Sequence, residues 1–466
     1  MGKSVGHAFV WKLESAKEVA RTMKTRWLIG LFMWVVLLGT AGWAQEAPVP
    51  LTLEESIQIA LERNLSLQSA FEEVKGSEFR TKAARSDFFP LWTGDYSYTR
   101  YSDSVALGVR RVAGFGGVDT AGQTRDVYNF STTLGQPLFT GGLLTSNYRL
   151  EKLGIDISKS NIEVLKRDLI LQVRGGYFNI LRYEKFVDVA TQAVKQFEAQ
   201  LEVAKAFFDV GLVAKNDVLQ AEVRLANARQ ALVSAENNLA ITKSSFNTLL
   251  RRDINSPLSV VDILSYQPFP LKFEEAIGEA LLQRPEIRTA ELSIGQAKEA
   301  VKIAQSEYWP TLSLAGNYAR GSDAFYLNGD LTDDRWTIEG LATFTIFNWG
   351  KTSYKVGESK VRVNQAENSK NQLIDNVVLE VKQAYLDMLR AEKNVGVSET
   401  SIEQAEENLR MNEERYKYQV ATATDVLDAV VLLAQARVNY VSALADFNIA
   451  KAALDRAMGR IPLAQR

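Results

Sequence analysis

The sequence predicts a mainly α fold with membrane β-strands. A duplicated helix–strand–strand–helix unit, taken as a trimer, closes a 12-stranded barrel continued by a long α-helical tunnel. Three observations predict this. The chain repeats itself once, its helical patterns are far longer than a globular core needs, and its few alternating segments gather the aromatic residues. The composition sets the frame. The 466 residues include no cysteine and one histidine, and 54 Lys plus Arg face 56 Asp plus Glu for a net charge of −2. Bulk positive charge for nucleic acid is absent, so no nucleic-acid partner is expected. Disulfides, thiol nucleophiles and thiolate metal sites are excluded with cysteine.

The first element is a targeting segment. Lys24 and Arg26 precede an apolar run from Trp27 to Leu38, followed by the small residues Gly42 and Ala44. The run is shorter than the ~20 residues of a spanning helix, so residues 1–44 read as a secretory signal cleaved after Ala44, with Met23 an alternative start. The segment carries six Lys/Arg and two Glu, and its loss takes the charge from −2 to −6. It also removes His7, leaving neither His nor Cys. Most nucleophile–base pairs and zinc sites need one or the other, so no enzyme, cofactor or metal is expected. A secreted chain without cysteine suits a bacterial envelope.

The repeat organises the rest. LEESIQIALERN from Leu53 matches FEEAIGEALLQR from Phe273 at an offset of 220, as Phe89-Pro90 matches Trp309-Pro310. PLFTGG from Pro137 then matches TIFNWG from Thr345 at an offset of 208, which holds through Asp217-Val218-Leu219 and Asp425-Val426-Leu427. The expected units are 45–250 and 271–460, joined by a proline-containing linker over 251–270.

Each unit opens with a short helix, the first behind the capping box Thr52-x-x-Glu55. A second helix, from Ser66 or Glu286, stops at Pro90 or Pro310. Strands follow over about 91–103 and 126–139, and over about 311–320 and 335–347. A helical pattern without proline then runs from Thr145 to Asp209, on the order of 100 Å. The last helix carries unbroken 3,4 spacing through Val218, Ala221, Leu225 and Ala228, repeated at Val426, Ala429, Leu433 and Ala436. A second stripe, Leu219, Ala226, Val233 and Ala240, gives this helix two apolar edges. Helices alone fit a bundle or a ring.

The strands separate the two. Trp92, Tyr96 and Tyr98 oppose Thr93, Asp95, Ser97 and Thr99; Trp336 and Ile338 oppose Thr337 and Glu339. Segments of ~10 residues with one apolar and one polar face match outer-membrane strands. After the signal, the remaining tryptophans are Trp92, Trp309, Trp336 and Trp349, all in or beside strands, as in a membrane-interface aromatic girdle. Core aromatics are the other reading. Four strands cannot close in lipid, so the chain must oligomerise: two copies give 8 strands with an interior filled by side chains, and three give 12, enough for a lumen.

With its doubled EExIxxAL openings, Pro90 and Pro310, PLFTGG and FNWGK, and VGLVAKNDVLQAE with ATATDVLDA, the chain resembles the TolC-like outer-membrane efflux proteins over residues 50–460. The resemblance implies a homotrimer in outer-membrane lipid, a tunnel across the periplasm, a periplasmic adaptor and an inner-membrane transporter. Such a protein is a passive exit duct for efflux or type I secretion. Lipid-anchored members carry a cysteine after the signal; Gln45 stands here, so no anchor is expected. The alternative is a non-channel periplasmic coiled-coil adaptor or scaffold, which leaves the strands unexplained.

Asp217, Asp425 and Asp428 open the last helix of each unit. In a trimer they stack as acidic rings that select cations; as helix N-terminal carboxylates they complement the macrodipole. The resemblance implies a periplasmic constriction held by a Tyr and an Arg. Tyr416 matches the Tyr, with Asp217 as its acidic partner, but Ala421 stands at the Arg position. The glycine loop at Gly114, Gly116, Gly117 and Gly122 joins two strands without Lys or a following helix, so it is not a phosphate loop.

Overall fold

The structure is a computed structural model that describes residues 50–111 and 119–460. The signal segment 1–44 and most of the glycine loop lie outside the described residues. Residues 51–256 and 260–466 form one compact unit, described here; Pro50 and Pro257–Ser259 belong to another.

The first repeat runs α1 (Leu53–Arg63), α2 (Leu65–Ser86), β1 (Leu91–Arg111), β2 (Asp119–Phe139), α3 (Leu143–Asp209) and α4 (Lys215–Leu249). The second runs α5 (Phe273–Gln283), α6 (Pro285–Ser306), β3 (Thr311–Ser322), β4 (Thr332–Thr343), α7 (Lys351–Lys417) and α8 (Ala423–Ala457). Helix lengths are identical in the two repeats: 11, 22, 67 and 35 residues. The strands are not, at 21 residues in the first repeat and 12 in the second.

The helix ends follow from local chemistry. Thr52 and Glu55 cap α1 reciprocally, the Thr52 amide donating to Glu55 at 2.9 Å and the Glu55 amide to Thr52 Oγ1 at 3.2 Å. Both 67-residue helices end the same way. The amides of Gly211 and Leu212 return to Phe208 and Phe207, and those of Gln419 and Val420 to Tyr416 and Arg415. This double return needs one left-handed residue, met by Gly211 at φ 76° and, less comfortably, by Gln419 at φ 58°. The chain then reverses at once, so α3–α4 and α7–α8 become antiparallel hairpins.

α3 is central. It is flanked on one side by α2 and α4, and on the other by α6 and α8, which also pack on α7. The short helices therefore share two flanks of the long ones. The strands pair antiparallel in the order β1-β2-β3-β4, and each passes directly into one helical layer. Tyr177 fastens the inter-repeat segment, its buried hydroxyl donating to Leu51 O at 3.0 Å and Val261 O at 2.8 Å. Burial pushes that phenol up to about 12. Its repeat counterpart Tyr385 donates to Leu271 O at 3.3 Å.

Two readings change. β1 and β2 extend beyond 103 and before 126 because antiparallel pairing continues through two register shifts. β4 stops at Thr343 rather than 347 because its partner β3 begins at Thr311, opposite it; Phe344 to Phe347 have no ladder to join. α8 is also long and apolar enough to cross a membrane by composition. Its 16 buried residues instead make it the packed helix between α3 and α7.

Candidate functional site

The register sorts the four strands into two continuous faces. Trp92, Leu134, Gly316 and Ile338 form one cross-strand row, and Gly94, Thr132, Tyr318 and Trp336 the next on the same side. Between them lies the opposite row of Thr93, Thr133, Asn317 and Thr337, where Asn317 Nδ2 donates to Thr133 Oγ1 at 3.1 Å. All four apolar faces thus fall on one side, as alternation requires once the register is set. A contiguous exposed apolar face of this kind marks an interface with lipid or protein.

Aromatic side chains crowd both ends of that face. Near the helices are Trp309 and Trp349, 60 % and 85 % exposed, the latter edge-on to Phe347 at 5.0 Å. Toward the other end Tyr98 stacks on Tyr128 at 4.8 Å, and Phe325 meets Tyr96 and Tyr128 at 5.8 and 5.9 Å. Trp92 and Trp336 stand between, both exposed. The Trp92 indole donates to Thr132 Oγ1 at 2.6 Å, so its N–H is satisfied within the sheet rather than by surrounding solvent. Trp349 sits at φ 56°, a strained conformation for a bulky residue, where the first repeat has Gly141 at φ 62°. A Cβ at Gly141 would lie 2.6 Å from Ser306 O, so that turn admits only glycine.

The acidic candidates gather at the hairpin end of the helices. Asp425 closes a capping box at the start of α8. Its Oδ2 accepts from the Thr422 amide and hydroxyl, both at 2.8 Å, and its own amide donates to Thr422 Oγ1 at 3.3 Å. Those bonds, the amide first, hold the Asp425 carboxyl below its usual range. Asp428 accepts from Arg224 Nη2 of α4 at 2.7 Å. One turn earlier, Thr424 Oγ1 donates to Gln220 Oε1 at 2.8 Å. Asp217 lies in the first turn of α4, behind Ala214, which offers no side-chain cap.

Tyr416 is buried, 5 % exposed, with its ring 5.4 Å from Phe207 in an apolar cluster that includes Leu225, Val426 and Leu433. Its hydroxyl makes no hydrogen bond. Burial, and then the charge of Asp217, push that phenol up. The structure brings Tyr416 and Asp217 near each other without linking them, and places Asp425 and Asp428 in capping and ion-pair roles. Among the described residues no three His, Cys, Asp or Glu gather as a metal site. Arg224 and Gln220 carry no motif; only their four-residue spacing on α4, matching Thr424 and Asp428 on α8, signals them in the sequence.

The profile of the outer membrane efflux proteins matches residues 56–250 and 276–460. The chain is 24 % identical over 431 residues to the outer membrane efflux protein BepC of Brucella suis, covering 92 % of this chain and 89 % of that one. It is 24 % identical to the outer membrane protein TolC of Vibrio cholerae, covering 74 % and 79 %. Among solved structures it superposes on the MtrE outer membrane channel of Neisseria gonorrhoeae with a TM-score of 0.70 at 23 % identity, covering 88 % and 89 %.

Proposed function

The chain belongs to the outer membrane efflux protein family, and from that premise we propose that it is the outer-membrane exit duct of a tripartite efflux or type I secretion system. The family is one of channels rather than enzymes. The observation that carries the reading is the two-faced sheet. One side is apolar and aromatic, the other polar, and both outer strands have an unpaired edge. Open edges are not tolerated in lipid, so β4 of one copy pairs with β1 of the next, and three copies close the barrel. The polar faces then line a lumen and the apolar faces meet outer-membrane lipid.

The helices support the same assembly. α4 and α7 each have one flank without a neighbour, and those flanks carry exposed apolar residues: Val223, Val233 and Ile241 on α4, Leu379 and Val397 on α7. Joining copies at these flanks extends the helical wall beneath the barrel into the periplasm. The repeats 45–250 and 271–460, with the linker 251–270 as the equatorial region, are the units of that wall. Trp92, Trp309, Trp336 and Trp349 mark the membrane region, and Asp217, Tyr416, Asp425 and Asp428 the periplasmic constriction. A periplasmic adaptor opens the tip and an inner-membrane transporter supplies the energy.

The test is conductance of the purified, detergent-extracted protein in a planar bilayer, together with its mass. A conducting trimer is expected. A water-soluble monomer without conductance would sink the proposal.

A further inference from the structure

We propose that Arg224 is the selectivity-determining residue of the tip: it clasps α4 to α8 through Asp428 and, by neutralising that carboxylate, lowers the cation preference of the constriction. The inference rests on the channel reading above and adds the residue that closes and tunes it.

Two rungs join α4 of the first repeat to α8 of the second. Gln220 bonds Thr424 and Arg224 bonds Asp428, at 2.8 and 2.7 Å. Each rung spans 204 residues, and the two are four residues apart on both helices, so the helices run parallel and in step there. The repeat offset is 208, so α8 is slid by one turn relative to its repeat equivalent. Residues 220 and 428, equivalent by repeat, therefore each meet a different partner.

Beyond the rungs α4 and α8 part. Between them opens a groove of about 440 Å³, floored by Tyr183, Phe186 and Phe197 of α3, with Arg224 among its lining residues. Direct contact between α4 and α8 is otherwise slight. Side-chain bonds tie these two helices together at the rungs, beside the apolar cluster that Leu225 and Ala228 of α4 share with Val426 and Leu433 of α8. Other links between the repeats run from α3 to α8, where Arg437 bonds Gln192, and, nearer the turns, from α3 to α7. There Gln200 Nε2 donates to Glu413 at 3.3 Å, and Phe207 packs on Tyr416. Tyr416 contributes no hydrogen bond and Ala421 no charge, so the ion pair on the α4–α8 seam is Arg224 with Asp428.

The electrostatic consequence follows from the same contacts. Asp425 keeps its charge, since its Oδ2 accepts from both the amide and the hydroxyl of Thr422, which favours the carboxylate. Asp428 is compensated by Arg224, with both side chains about half exposed at 54 % and 42 %. A half-exposed pair contributes modestly, roughly 1.4- to fivefold in an equilibrium constant. Three copies acting together make that roughly three- to a hundredfold, enough to bias a two-state tip.

The experiment uses the full-length trimer in planar bilayers. Arg224→Ala should raise the open fraction by roughly three- to a hundredfold and increase the cation-to-anion permeability ratio. Asp428→Asn should raise the open fraction similarly while lowering that ratio. The exchange Arg224→Asp with Asp428→Arg should return the open fraction to near the native value, and it decides the matter if Arg224→Ala fails to assemble. A native trimer that conducts, with open fraction and permeability ratio unmoved by both single variants, would overturn the clasp alone. A native trimer that does not conduct would overturn the channel reading and the clasp with it.

Discussion

α4 and α8 have the same length, the same repeat origin and the same 3,4 apolar spacing, yet different surroundings. α8 buries 16 of its 35 residues and α4 only five. The difference is neighbours. α8 lies between α3 and α7, whereas α4 rests on α3 with its opposite flank bare. Val233 and Ile241 on that flank are 64 % and 56 % exposed. A helix with two apolar edges, one of them bare, indicates where the next copy belongs.

The largest expected effect falls on that bare flank. Val233→Asp combined with Ile241→Asp should abolish trimers while leaving helix content intact. Mass measurement in detergent checks the first and circular dichroism the second; a stable trimer would mean the α4 flank is not an interface.

Burial predicts the next effect. Phe447 of α8 is 1 % exposed, and Phe447→Ala should cost about 3–5 kcal/mol. Its repeat counterpart Leu239 on α4 is only half-buried, and Leu239→Ala should cost less than about 2 kcal/mol before assembly. Denaturation of the two variants side by side measures the contrast.

The helix starts differ as well. Asp425 caps α8, while Ala214 leaves α4 without a side-chain cap. Because the folded Asp425 carboxyl titrates below its unfolded value, its contribution is fully present above the ordinary aspartate range. It is lost as pH falls through the folded value. Amides in the first turn of α8 should therefore lose hydrogen-exchange protection in acid, and those of α4 should show no matching step. Asp425→Asn should remove the acid step altogether.

The smallest effect concerns Tyr416. Its hydroxyl is buried without a partner, so Tyr416→Phe should be neutral or stabilising by about 1 kcal/mol. A clear loss of stability would show that the hydroxyl is bonded after all, as the resemblance to the family implies.

Much of this was legible from residues alone. Period-2 alternation assigned Trp92, Tyr96, Trp336 and Ile338 to apolar faces, and the strand register then put those faces on one side. Pro90 and Pro310 marked where helix gives way to strand, because proline cannot continue the one and suits the start of the other. The Thr52 capping box was readable because both its partners lie within one turn. The links to Arg224 and Gln220 were not, since each bond joins residues 204 positions apart. Neither was the internal bond of Trp92, which depends on a partner 40 residues away.

The sequence by itself determined everything governed by nearest neighbours along the chain: the duplication, the helix lengths, the turns, and the apolar and polar side of each strand. Tertiary structure alone decided who faces whom. Packing placed α8 inside and α4 at an edge, slid them by one turn, and so matched Arg224 to Asp428 and left Tyr416 unbonded. The physical reason is that secondary structure is set by interactions a few residues apart, whereas a contact between repeats depends on how two helices seat on a third.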